Sequence, residues 1–116
     1  MGFDFMIELA RKYEYYRRNW RKYVEVIKNL AREYFGENFV AVYVFGSFIR
    51  GDYKPLSDID VAVILSKEVD EWSRARFRLL VRREIGSIHP FEIHIVTDDV
   101  WRNWFSRFVK KDYIEV

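Results

Sequence analysis

Cysteine is absent from the 116 residues, and so is glutamine. Without a thiol there is no disulfide frame, no thiolate zinc site and no cysteine nucleophile. Proline occurs only twice, at Pro55 and Pro90, and glycine five times. No Pro/Gly/Ser linker, low-complexity tract or repeat therefore divides the chain. No apolar run approaches the roughly 20 residues of a membrane-spanning helix. Residues 1–10 hold two acids and no basic region, which is not the pattern of a secretory leader. The expected location is cytoplasmic. An excess of one charge is lacking too: 20 Lys and Arg stand against 18 Asp and Glu, a net charge of +2. That balance lacks the basic footprint of a nucleic-acid binder.

Apolar residues make up 50% of the chain and aromatics 19%, enough to bury a core within one domain, residues 1–116. Abundant Glu, Arg, Lys and Tyr, with no Cys or Gln, is the composition of heat-adapted proteins.

Apolar residues recur every three or four positions from Phe5 through Leu9, Tyr13, Tyr16, Trp20, Tyr23, Ile27 and Leu30 to Tyr34. This predicts one long helix, or two in series, over residues 4–35. Arg11, Arg17, Arg18, Arg21, Lys22, Lys28 and Arg32 fall on the other faces, and Gly36 is the stop. Residues 39–45 (FVAVYVF) read as a strand buried on both faces. A short helix or turn to Gly51, a loop over 52–57, a second strand over 58–65 and a helix over 70–85 closed by Gly86 come next. Residues 90–96 form a third strand. Thr97 caps a last helix to about residue 110, and residues 113–116 are a short strand or a loose tail. The expected fold is α/β: a small mixed sheet of three to four strands with packed helices. The dozen residues between the first two strands leave their relative direction open.

The chemistry lies in Gly46-Ser47-Phe48-Ile49-Arg50-Gly51, a loop, and Ser57-Asp58-Ile59-Asp60-Val61. A glycine where a strand turns into a helix lets another group approach the backbone. The free N–H groups of that turn favour an anion such as phosphate, and the Ser47 hydroxyl and amide both donate. Asp58 and Asp60, two apart on a strand, point from one face. Two carboxylates that close repel unless a cation lies between them. Magnesium takes one or two carboxylates plus substrate phosphates. A phosphate cradle one loop from paired acids points to metal-assisted phosphoryl or nucleotidyl transfer. On the third strand Glu92 and His94 share the face opposite Phe91, Ile93 and Ile95. If that strand lies beside the aspartates, Glu92 is a third metal carboxylate or the general base, and His94 is its hydrogen-bonded neighbour. Arg50 has two readings, phosphate contact or salt bridge. Gly51 and Ser57 read as structural, and His89 as a loop residue. Arg74, Arg78 and Arg82, four apart, read as a solvated helix face. Tyr15, Tyr16, Trp20, Trp101 and Trp104 leave aromatic surface for a partner or a second copy.

This pattern of Gly-Ser, a glycine four residues after the serine, and Asp-x-Asp resembles the signature of the DNA polymerase beta nucleotidyltransferase superfamily. The small size resembles its minimal nucleotidyltransferase branch. Gly46, Ser47, Arg50, Gly51, Ser57, Asp58, Ile59 and Asp60 fall where that branch has them. One departure is Glu92, where the superfamily usually has an aspartate. The resemblance implies ATP at Gly46 and Ser47, two magnesium ions at Asp58, Asp60 and a third acid, here Glu92, and release of pyrophosphate as AMP is transferred. It also implies an antitoxin role: the acceptor is a tyrosine of a HEPN-type helical toxin, which the chain adenylylates. Two other readings stay open. One is a nucleotide-binding module that blocks its partner stoichiometrically. The other is transfer to a small molecule or RNA, against which the missing extra domain and weak net charge argue. The sequence leaves the oligomeric state open, a homo-oligomer included.

Overall fold

Two helices open the chain, in series. The computed structural model describes residues 2–116, the side chains of Trp104 and Ser106 excepted. Helix α1 is Gly2–Arg18 and α2 is Trp20–Phe35. At the junction Asn19 leaves helical geometry (φ −112°, ψ 24°), and its side-chain amide donates to the Tyr15 carbonyl at 2.9 Å. A short amide that bonds the nearby backbone competes with the helical ladder. Val24, Ile27 and Ala31, one stripe of α2, are buried. The stripe fails in the first turns of α1, where Phe3, Phe5, Met6 and Ile7 are exposed.

After a 3-10 turn (Gly36–Asn38) come β1 (Phe39–Phe45), α3 (Ser47–Arg50), β2 (Ile59–Leu65), α4 (Glu71–Ile85) and β3 (Phe91–Thr97). Thr97 does cap the next helix, its hydroxyl accepting from the Val100 amide at 3.3 Å. That last helix is not regular, however: α5 (Asp98–Val100) passes through a π-helical turn (Trp101–Phe105) into α6 (Ser106–Val109). The chain ends in a fourth strand, β4 (Tyr113–Glu115). The strand order is β3-β2-β1-β4. β1 pairs antiparallel with β2 and β4, while β2 and β3 run parallel. This pairing brings the end of β1 beside the starts of β2 and β3, and the site lies there.

Strand β2 is central and nearly all buried. Its odd residues, Ile59, Val61, Val63 and Leu65, join the core under α1, α2 and α4. Its even residues Ala62 and Ile64 pack with Phe45, Trp101 and Val109 on the other face. Trp101 stacks on Tyr43 with centroids 4.7 Å apart. Trp101 and Tyr16 are therefore core residues and not free aromatic surface. Tyr15 is exposed, and the Trp104 side chain lies outside the described residues.

The arginines of α4 lie on a largely exposed face, as expected, with Arg78 and Arg82 exposed and Arg74 half-buried, but two of them also make contacts the sequence does not show. Asp70 caps the helix, accepting from the Ser73 amide at 2.8 Å, and Phe77, Val81 and Ile85 face the core. Arg78 donates to the Ile93 carbonyl at 2.8 Å, and Arg74 to the Ile95 carbonyl and to Glu68. These two side chains satisfy carbonyls along the open edge of β3, which would otherwise invite another strand. Arg82 alone remains a free cationic group on that face, with no ion pair among the described residues.

Candidate active site

The strand register assembles the acids. Asp60 is opposite Glu92, and Ala62 opposite His94, in the parallel β2–β3 pair. The period of two then sets Asp60, Glu92 and His94 on one face. The His94 Nε2 atom lies 3.2 Å from Asp60 Oδ1 and 3.9 Å from Glu92 Oε1. Ligand atoms of these three residues fall within 4.8 Å of one another. Asp58 sits just before β2, not within it, and lies outside that group of three, though near enough for the Asp60 charge and a Glu92 contact to act on it.

Electrostatics follows from the crowding. Burial pushes the Asp58 carboxyl up, and the Asp60 charge adds to this, against an opposing contact with Glu92. Burial likewise raises Glu92; His94 opposes the shift, and Asp60 and Asp58 reinforce it. Carboxylates in such a group are harder to ionise, and a cation among them removes the penalty.

Across β1 the Gly46 backbone closes on Asp60. Phe45 is paired with Asp60, and Gly46 turns the chain at φ 87°, ψ −154°. A Cβ on Gly46 would collide with Asp60 Oδ2, so the glycine permits the contact. Ser47 begins α3, in which the Ile49 and Arg50 amides both donate to the Gly46 carbonyl at 3.1 Å. Arg50 is held by Asp52 at 3.2 Å. Gly51 closes the turn with a left-handed φ of 87°. The Ser57 hydroxyl accepts from the Lys54 amide at 2.8 Å and braces the loop before Asp58. In order across this end of the sheet stand Gly46, Asp60 and Glu92. Beyond the edge of β3 comes a cavity of about 470 Å³ lined by Tyr13, Arg82, His89, Phe91, Glu92 and His94 among others.

Comparison with known proteins gives the family. The family described as "Polymerase beta, Nucleotidyltransferase" matches residues 25–103, well over half of the chain. This chain belongs to the polymerase beta nucleotidyltransferase family. It is 30% identical over 73 residues to spectinomycin 9-adenylyltransferase of Staphylococcus aureus, a match that takes in 58% of this chain and 28% of that protein. The chain thus spans under a third of the length of the curated relatives it matches. A crystal structure assigned to a nucleotidyltransferase superposes with a TM-score of 0.61 at 30% identity, covering 80% of this chain and 96% of the other. The toxin–antitoxin structure MntA–HpeT shares the fold, with a TM-score of 0.55 at 17% identity over 80% of this chain and 70% of that one. No helix among the described residues is long and apolar enough to cross a membrane.

Two groups that shape this candidate site make contacts with no local sequence signal. Arg17, placed by periodicity on a polar face, is 5% exposed. It donates to the Pro55 carbonyl at 3.1 Å and to Glu14 at 3.2 Å, and its guanidinium carbon lies 5.0 Å from the Tyr53 ring centre. It ties α1 to the loop that delivers Asp58. Replacing Arg17 by Ala is expected to cost about 1.5–3 kcal/mol, the range for hydrogen bonds to a charged group, and to slacken the 52–57 loop. Urea denaturation and hydrogen exchange at residues 53–57 measure both effects. His89 is the other group. Its Nδ1 accepts from the Phe91 amide at 3.0 Å, and burial, then the Arg82 charge, push its pKa down. It is a loop residue, as expected, and is half-buried at the entry to β3.

Proposed function

We propose that this chain transfers AMP from ATP to a hydroxyl acceptor, with magnesium held by Asp58, Asp60 and Glu92. The observation that carries the reading is the order of groups across the sheet end: Gly46 against Asp60, Asp60 level with Glu92, and a cavity beyond Glu92. The close carboxylates, two with raised pKa values, fit a divalent cation bound through oxygen. His94 adds a nitrogen at 3.2 Å from Asp60 that orients that carboxylate.

In-line displacement needs the entering and leaving groups on opposite sides of the α-phosphorus. In this reading the Ser47 hydroxyl and the amides at Gly46 and Ser47 hold the β- and γ-phosphates, the leaving side. The acceptor hydroxyl enters from the cavity. Glu92, between the two, takes its proton. The acceptor oxygen bonds to the α-phosphorus as the bond to the bridging oxygen breaks and pyrophosphate departs. Bound metal supplies neutralisation of the phosphate charge. Arg50, engaged with Asp52, has a secondary part and reaches phosphate only by leaving that partner.

For the acceptor we adopt a tyrosine hydroxyl on a HEPN-type toxin, making this chain its antitoxin; the fold shared with MntA–HpeT supports this choice. The exposed apolar residues at the start of α1, Phe3, Phe5, Met6 and Ile7, supply a surface for such a partner. The competing reading, a module that neutralises by binding alone, predicts protection by an Asp58→Asn/Asp60→Asn variant. Growth rescue in cells expressing the toxin, with mass spectrometry of its tyrosines, separates the two.

Glu92 also sets a pH dependence. Its folded pKa is raised, so its ionisation opposes folding. Its favourable contribution is complete below the ordinary carboxylate range and is lost as pH rises through the folded value. Glu92→Gln is therefore expected to raise the melting temperature of the metal-free protein at pH 7, with no gain at pH 3.5. The same change is expected to lower transfer by about 10²-fold or more, within the range for a general base. A lower melting temperature at pH 7 with transfer intact would contradict both expectations.

A further inference from the structure

The acceptor side of this site already contains a hydroxyl of the chain itself. Among the described residues Tyr13 is the one tyrosine lining the cavity beside Glu92 and His94. Its place is set by the next turn of α1. Three residues on, the Tyr16 hydroxyl donates to the Ile85 carbonyl at 2.5 Å. Four residues on, Arg17 donates to the Pro55 carbonyl at 3.1 Å. Residues at i+3 and i+4 share the face of Tyr13, so a clamped helix presents the Tyr13 ring to the starts of β2 and β3. The ring is half-buried, and no described residue hydrogen-bonds its hydroxyl. Burial, then the Asp58 charge, raise the pKa of that hydroxyl, so it needs a base to react, and Glu92 lines the same cavity. The other tyrosines of α1 are differently placed: Tyr16 is engaged with Ile85, and Tyr15 is 56% exposed.

Resting on the adenylyl-transfer reading above, we propose that Tyr13 is an acceptor in cis: in the absence of an outside acceptor the chain adenylylates its own Tyr13. The phenolic oxygen bonds to the α-phosphorus of ATP, and the bond from that phosphorus to the bridging oxygen breaks. Pyrophosphate leaves, the phenolic proton passes to Glu92, and the product is an AMP ester of Tyr13. A nucleotide attached there occupies the cavity and closes it to outside acceptors, so the modification restrains transfer until the ester is removed or the chain replaced.

The test uses the purified chain with magnesium and ATP labelled at the α-phosphate, then intact mass and peptide mapping. Expected is one AMP per chain, on the peptide holding Tyr13, with no label from the γ-phosphate. The labelling rate per chain should not change over a hundredfold dilution, because the reaction is intramolecular. Tyr13→Phe should reduce label to background and keep the wild-type circular-dichroism melting curve, while Tyr15→Phe should label like the wild type. Label persisting in Tyr13→Phe, label on another residue, or a rate that falls with dilution would overturn the proposal and leave adenylyl transfer standing. So would an unlabelled wild type that binds a non-transferable ATP analogue with magnesium. An unlabelled wild type that binds no nucleotide would overturn both.

Discussion

Asp58→Asn/Asp60→Asn is expected to reduce adenylyl transfer at least about 10³-fold. Asparagine keeps the size and shape of each side chain and removes the charge, which in the proposed site leaves Glu92 as the sole carboxylate for the metal. Metal-based stabilisation of a phosphoryl transition state amounts to several kcal/mol, and each 1.36 kcal/mol is tenfold in rate. Folding should not suffer. Asp58 is raised by burial and by Asp60, so its ionised form opposes the fold, and the variant without metal should melt no lower than the wild type at pH 7. This separates loss of chemistry from loss of structure, which truncation to alanine would confuse. Transfer assayed with α-labelled ATP, beside a melting curve, gives both results. Retained transfer would remove these acids from the mechanism.

Gly46→Ala is expected to be almost as damaging, for a geometric reason. The residue sits at φ 87°, ψ −154°, a region open essentially to glycine alone, where other residues cost about 1–3 kcal/mol. Its new methyl group would also land on Asp60 Oδ2. Either β1 shifts away from β2 or the carboxylate leaves its position between His94 and the Gly46 turn. Misplacement by about 1 Å suffices for a 10²-fold loss, so transfer should fall at least that far. Gly36→Ala is the control. Gly36 also has a left-handed φ, 57°, but its Cβ would meet nothing within 4 Å. It should lose about 1–2 kcal/mol of stability and keep its transfer rate. Equal loss of transfer in both variants would show that strain, not contact with Asp60, explains Gly46.

The contrast between these glycines marks the limit of a sequence. Strand β1, the turn at Gly46, strand β2 and the polar pair Glu92 and His94 are legible because each is a local pattern: an apolar run, a helix start, a period of two. The mixed sheet and the position of β3 beside β2 accord with that series of elements. The direction of β1 relative to β2 is not legible, since a dozen connecting residues permit either. Asp58 reads as strand because it adjoins one, yet pairing begins at Ile59, whose amide donates to the Pro90 carbonyl at 2.7 Å. The contacts of Arg17 and Arg78 are not legible, because helical periodicity knows only its own helix. Their partners, the Pro55 and Ile93 carbonyls, are 38 and 15 residues away. Tyr13 reads only as one member of the apolar series for the same reason, and the assembled fold places that position in the lining of a cavity beside Glu92.

The most direct test of the metal–triphosphate site is a calorimetric titration of an ATP analogue with a methylene between the α- and β-phosphorus, with and without magnesium. The wild type and Asp58→Asn/Asp60→Asn are compared. Binding by the wild type should require magnesium, and the variant should bind at least about tenfold more weakly under the same conditions, as expected when a metal ligand set loses its charge. Equal affinity in both proteins, or binding indifferent to magnesium, would contradict a site built on Asp58, Asp60 and Glu92.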